Sequence, residues 1–190
     1  PRIGERTDPR IDVQTRQLTV KVRVARKLVA AAAADPRALI EEHVDDRQVA
    51  VVDDVVAVEI TEHLRAAGHR VTVIAAGGPL QSRVNRAGAQ FLEWPIGRKR
   101  PGTQRYIRQL RAWLRQQRPD IVHVHSRFPA WICYLALRGL DDDERPVFIT
   151  SMHGQYSVSA YSAIMARGDH VVAVSGHIRN YTLANYLPAY

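Results

Sequence analysis

The chain has 190 residues, 46% of them hydrophobic and 24% charged, which suits one ordinary globular domain and excludes both a disordered chain and two large domains. A formal net charge of +8 favours phosphate-bearing partners, without choosing among nucleic acid, lipid headgroups and nucleotide-linked substrates. No run reaches the roughly 20 apolar residues that span a bilayer, and Pro1–Arg10 lacks the apolar centre of a signal peptide, so a cytoplasmic protein is expected.

The first residues follow no single pattern. Leu18, Val20, Val22 and Val24 alternate like a strand, Lys27–Ala34 is alanine-rich, and Asp35-Pro36 opens a further helical run, Arg37–Val44. Residues 1–48 are therefore expected to be an irregular or helical extension. From residue 49 onward, β-rich and helical runs alternate. Gln48–Val52 is a candidate first strand, followed almost at once by the helical run Val55–Ala67. Val71–Ala75 is a second strand ended by Gly77-Gly78, and Pro79–Ala87 a helix with Pro near its start and Gly88 just past its end. Strands then fall at Gln90–Ile96, Ile121–His125, Pro146–Ser151 and His170–Val174, separated by helical segments at Thr103–Gln117, Pro129–Arg138 and Ala160–Ala166, with Ser175–Asn185 last. This order predicts an α/β fold: a Rossmann-like parallel sheet with helices on both faces, spanning 49–190.

Within Thr103–Gln117, residues Tyr106, Ile107, Leu110, Trp113, Leu114 and Gln117 recur at helical steps and make one mostly apolar face. Arg105, Arg108, Arg111, Arg115 and Arg118 fill much of the remainder, with Thr103 read as N-cap. The Arg face reads first as solvated surface and second as a contact for anionic membrane or a phosphorylated acceptor. Cys133, the one cysteine, stands in the apolar run Trp131–Leu135 and reads as a core thiol. His123 and His125 alternate with valines, so at least one reads as a satisfied core histidine, and no metal pair is expected. Asp141–Glu144 reads as a solvated loop rather than a metal site.

Five ordered motifs resemble family 4 retaining glycosyltransferases of the GT-B fold. Pro119-Asp-Ile-Val-His-Val-His-Ser-Arg127 is similar to that family's R-P-D-I-V-H-x-H-S signature, and Phe128-Pro-Ala-Trp131 to a variant found in enzymes building lipopolysaccharide and related cell-envelope glycans. Pro146–Tyr156 resembles the family's strand and His-Gly loop, and Tyr161–Ser175 its next helix and strand. Glu62–Val73 and Pro95–Lys99 match the earlier helix and strand ends more weakly. The resemblance covers 55–187. It implies the N-terminal, acceptor-side half of the enzyme, transferring sugar from a nucleotide-sugar donor to a glycan or lipid-linked acceptor, with no cofactor, metal or nucleic acid, and peripheral contact with the inner face of the membrane as a candidate.

Residue by residue, the resemblance makes His153 the catalytic candidate. Ser126, Arg127, Gly154, Tyr156 and Ser175 become substrate-binding candidates. All stand where ligands gather, at or beyond the carboxyl ends of expected strands. Gly154 would let backbone approach a substrate, and Arg127 could clamp a phosphate or carboxylate. Ser126 and Arg127 equally read as holding a loop, and Tyr156 as packing. Two family features are missing. No glycine stands between Glu5 and Gly68, so the Gly-Gly loop after the first strand is absent, and no donor-binding half follows. A truncated chain, inactive alone, is expected on these grounds. The alternative is a non-catalytic basic module for anionic membrane or RNA. A response-regulator receiver is excluded because no Asp stands between Asp54 and Asp120, and a dinucleotide enzyme is disfavoured by the lack of G-x-G-x-x-G.

Overall fold

The valine-rich runs of this chain are buried on both sides, which is what a strand in the middle of a parallel sheet requires. The structure is a computed structural model that describes residues 48–52 and 56–186. The strand and helices expected within 1–47 lie outside the described residues. In chain order the elements are strand β1 (Gln48–Val52), helix α1 (Val56–Ala66), β2 (Arg70–Ala75), α2 (Gln81–Arg86), β3 (Gln90–Glu93), α3 (Arg105–Gln117), β4 (Ile121–Val124) and α4 (Arg127–Leu137). Then come β5 (Val147–Met152), β6 (His170–Ala173) and α5 (Gly176–Tyr186), with 3-10 turns at Asp142–Glu144 and Ser162–Ala166. The sheet runs β3-β2-β1-β4-β5-β6, and every neighbouring pair is parallel. The chain winds outward from β1 to β3, then returns to add β4 on the other side of β1. This reversal creates the crevice in which such sheets bind ligands.

Side chains alternate across the sheet and define its two layers. Val49, Val51, Val71 and Val73 pack with Val58 of α1 and Val84 of α2. Ala50, Ile74, Val122, Val124, Phe148 and Met152 face the other way, onto Leu110 and Leu114 of α3 and Ala130, Cys133 and Ala136 of α4. The expected apolar stripe of α3 is the one that is buried, and Cys133 is a core thiol.

Two aspartates just before strands hold the sheet in line. Asp120 Oδ2 accepts the backbone N–H of Gln48 at 2.6 Å, while the Asp120 backbone donates to Gln48 and accepts from Val147. Asp169 does the same for β5, accepting the Phe148 N–H at 2.8 Å and a contact from Arg145.

Several expected boundaries shift for physical reasons. The strand expected over Gln90–Ile96 ends at Glu93, because Trp94 and Ile96 donate to carbonyls two residues back and Pro95 has no N–H to give. Ile96 is apolar as a fully buried anchor for the following loop and takes no part in the ladder. Thr103 does not cap α3. Its hydroxyl donates to the Arg98 carbonyl and closes the loop ahead of the helix, whose N-cap is Gln104. The helix expected over Ala160–Ala166 is a 3-10 turn entered through Ser159.

The arginines of α3 are the larger correction. Arg111 donates to the carbonyls of Leu135 and Ala136, and Arg115 to the carbonyl of Gly139. Arg115 and Arg118 both reach Glu144, whose side chain is only 15% exposed, so the acidic loop is not wholly solvated. Three of the five arginines therefore satisfy the open end of α4 and the turn after it, a place where cations complement the helix dipole. Leu114 is fully buried on the opposite side of α3. Leu114→Ala is expected to lower the free energy of unfolding by about 2–5 kcal/mol in a denaturant titration.

Candidate functional site

Parallel pairing brings the ends of β4, β5 and β6 side by side, and each is followed by polar residues. His125, Ser126 and Arg127 follow β4, His153 and Gly154 follow β5, and Val174 and Ser175 follow β6. Strand alternation sets His123 on the same side of the sheet as Ser151, and their side chains hydrogen-bond at 2.7 Å. One step further along the same two strands, His125 Nδ1 lies 3.1 Å from His153 Nε2. The His123 and His125 rings are 4.3 Å apart between centroids, and those of His125 and His153 are 5.3 Å apart and stacked at 25°. His123 and His125, one of them expected to be a core group, thus form a continuous row with the catalytic candidate.

Burial governs the chemistry of this row. It pulls the His123 imidazole down to about 4, with the neighbouring His153 adding to the effect. His125 is held at about 2, by burial first and then by His123 and His153. Both rings are neutral at neutral pH. Among the described residues no group of His, Cys, Asp or Glu has the arrangement of a metal site.

The remaining candidates are committed in different degrees. Ser126 is the extended residue before α4 and its carbonyl accepts the Ala130 N–H, with no capping bond from its side chain. Arg127 lies over the ring of Tyr156 at 4.7 Å and that of Tyr161 at 5.5 Å, and donates to Ser162 Oγ at 3.2 Å. Its guanidinium binds the loop after β5 to the start of α4, so the loop-holding role is present. Tyr156 packs against the core, and its carbonyl accepts hydroxyls from Tyr181 and Tyr186 of α5. Ser175 caps α5 by accepting the Ile178 N–H at 3.2 Å. At Gly154 a Cβ would meet no atom within 4 Å, so nothing in the described fold demands glycine there.

Sequence reasoning missed three partners. Ser151 and the His125–His153 contact depend on strand register. Gln155 and His177, hydrogen-bonded at 2.7 Å on the surface, join the loop after β5 to the first turn of α5. An open groove of about 280 Å³ runs between α3 and α4, lined by Ile107, Phe128, Trp131, Ile132, Leu135 and Tyr161. Lys99 sits over the Tyr161 ring at 4.6 Å, and Arg100 lines the groove.

A parallel sheet with a switch point and a polar row at its carboxyl edge defines a ligand-binding α/β unit of Rossmann-like type. Residues 54–189 match the sequence model of Glycosyltransferase Family 4, and the chain belongs to that family. Among solved structures it is similar to the crystal structure of a glycosyltransferase from Rickettsia africae ESF-5, with a TM-score of 0.61 and 23% identity. That likeness covers 75% of this chain and 40% of the other, and it speaks to the fold. A search of curated proteins gave no significant match. No helix among the described residues is long and apolar enough to cross a membrane.

The buried histidines make stability depend on pH. Their folded values lie below the ordinary 6.5, so the unfolded chain binds more protons as pH falls. Their contribution is complete above about pH 6.5 and is lost as pH falls from there, down to about 4 for His123 and about 2 for His125, with a slope of up to about 1.4 kcal/mol per pH unit for each ring. Denaturant unfolding across that window is expected to show the loss, and a His123→Asn/His125→Asn double variant to show a shallower slope than wild type.

Proposed function

We propose that residues 49–190 form the acceptor-side half of a retaining glycosyltransferase, with residues 1–48 an appended extension. It would serve transfer of a sugar from a nucleotide-sugar donor to a glycan or lipid-linked acceptor. The family match carries this reading, and His153 is its best-supported catalytic group because it follows β5 at the carboxyl edge of the sheet, beside the end of β4. Ser126, Gly154 and Ser175 line the same edge and would contact substrate. Arg127 and Tyr156 would act as one unit, the cation fixing the aromatic ring that meets the acceptor. The apolar groove beside Tyr161, with Lys99 over that ring, suits an acceptor that joins an apolar portion to a phosphate.

Donor binding is assigned to the part of such proteins that lies outside the shared span, since the chain spans 40% of the Rickettsia structure. The basic-module alternative loses much of its motive, because Arg111, Arg115 and Arg118 are engaged within the fold.

Two measurements test this reading. In a protein carrying this unit together with a donor-binding half, His153→Ala is expected to cut transfer by about 10²-fold with the fold intact by circular dichroism. Turnover close to wild type would remove His153 from the reaction. The isolated 190-residue chain is expected to give no binding heat with nucleotide sugars in calorimetry. Tight binding there would bring the donor site into this unit.

A further inference from the structure

The row of histidines has only one economical arrangement of protons. His125 Nδ1 and His153 Nε2 are 3.1 Å apart, so one nitrogen carries the shared hydrogen and the other accepts it. The second nitrogen of His125 decides which. His125 is 3% exposed, and its Nε2 is buried without a hydrogen-bond partner among the described residues. Were Nδ1 the acceptor, a neutral His125 would carry its proton on Nε2 as a buried N–H that no described residue receives, which forfeits the hydration that donor had in water. With the proton on Nδ1, Nε2 presents only a lone pair, and orphaned acceptors are better tolerated than orphaned N–H groups.

We propose that His125 is a positioning residue that donates from Nδ1 to His153 Nε2, so that His153 in its uncharged form is held as the Nδ1–H tautomer. Burial keeps His125 uncharged down to about pH 2, so Nδ1 is its single donor whenever His153 presents an Nε2 lone pair. Contact with the tilted ring of His123 on one side and the near-parallel ring of His153 on the other keeps the His125 ring in the orientation the bond needs. Ser151 holds His123 from the far end of the row. With its Nε2 lone pair engaged, the other ring nitrogen of His153 is an N–H donor. This consequence rests on the proposed role of His153. If that residue meets a substrate oxygen, it does so as a hydrogen-bond donor and cannot take the acceptor's proton.

The test is ¹⁵N NMR of the histidine side chains in the 190-residue chain, with His153 assigned by its loss in His153→Gln. The expected spectrum has the His153 proton on Nδ1 and the unprotonated nitrogen signal on Nε2. In His125→Phe, which keeps a ring and removes the donor, His153 is expected to lose that preference. In His125→Asn, whose amide N–H can stand near the position of Nδ1, the preference is expected to persist. A wild-type His153 protonated on Nε2, or a tautomer unchanged in His125→Phe, would overturn the proposal. The wild-type spectrum decides the matter even if His125→Phe fails to fold. The readout needs no substrate, so it is separate from the activity of His153→Ala: a correct tautomer with unimpaired turnover in that variant would leave the proton arrangement standing and remove only its use in catalysis.

Discussion

The parallel, in-register pairing of β4 with β5 is the constraint on which the candidate site depends. Parallel strands keep a constant sequence offset between side chains that meet across them. His123 with Ser151 and His125 with His153 are both 28 residues apart, and both pairs hydrogen-bond. A slip of one residue would send each of these side chains to the opposite face of the sheet. The Asp120 carbonyl accepts the Val147 N–H and ties the start of β4 to β5, while the carboxylates of Asp120 and Asp169 align the flanking pairs by accepting N–H groups of β1 and β5. The aspartates of the motifs around β4 and β6 are thus explained by sheet alignment, at the end of the strands away from the chemistry.

The same sheet explains where the positive charge goes. α3 needs an apolar stripe to cover β1 and β4, and its arginines occupy what is left of its surface. Arg111, Arg115 and Arg118 turn toward the end of α4, where carbonyls and Glu144 await donors. Exposed ion pairs of this kind contribute modestly to stability, but the arginines also satisfy backbone groups that would otherwise rely on water. A basic composition here is partly a packing device between two helices. Arg127 repeats the theme at the site, where it clasps Tyr156, Tyr161 and Ser162 and orders the loop that follows His153.

Much of the fold was legible because its signals are local. Valine-rich runs, helical spacing in Tyr106–Leu114 and glycines after helices are properties of neighbouring residues. The misread points were those where a residue served a distant partner. Ile96 extended an apparent strand because it is apolar, yet its burial is that of a loop anchor. Thr103 stood where an N-cap belongs, yet its hydroxyl is taken by Arg98. Glu144 stood in an acidic run that looked solvated, yet two arginines from α3 enclose it.

By itself the sequence determined the fold class, the family resemblance and the residues that stand at strand ends, because each follows from short-range pattern and order along the chain. It also marked His153 as the histidine before a glycine at such an end. What only the tertiary structure decided is how that histidine is held. Partners 28 residues apart meet through strand register, and burial keeps the histidines behind it uncharged. Register and burial are properties of the assembled sheet, and no stretch of the chain read on its own contains them.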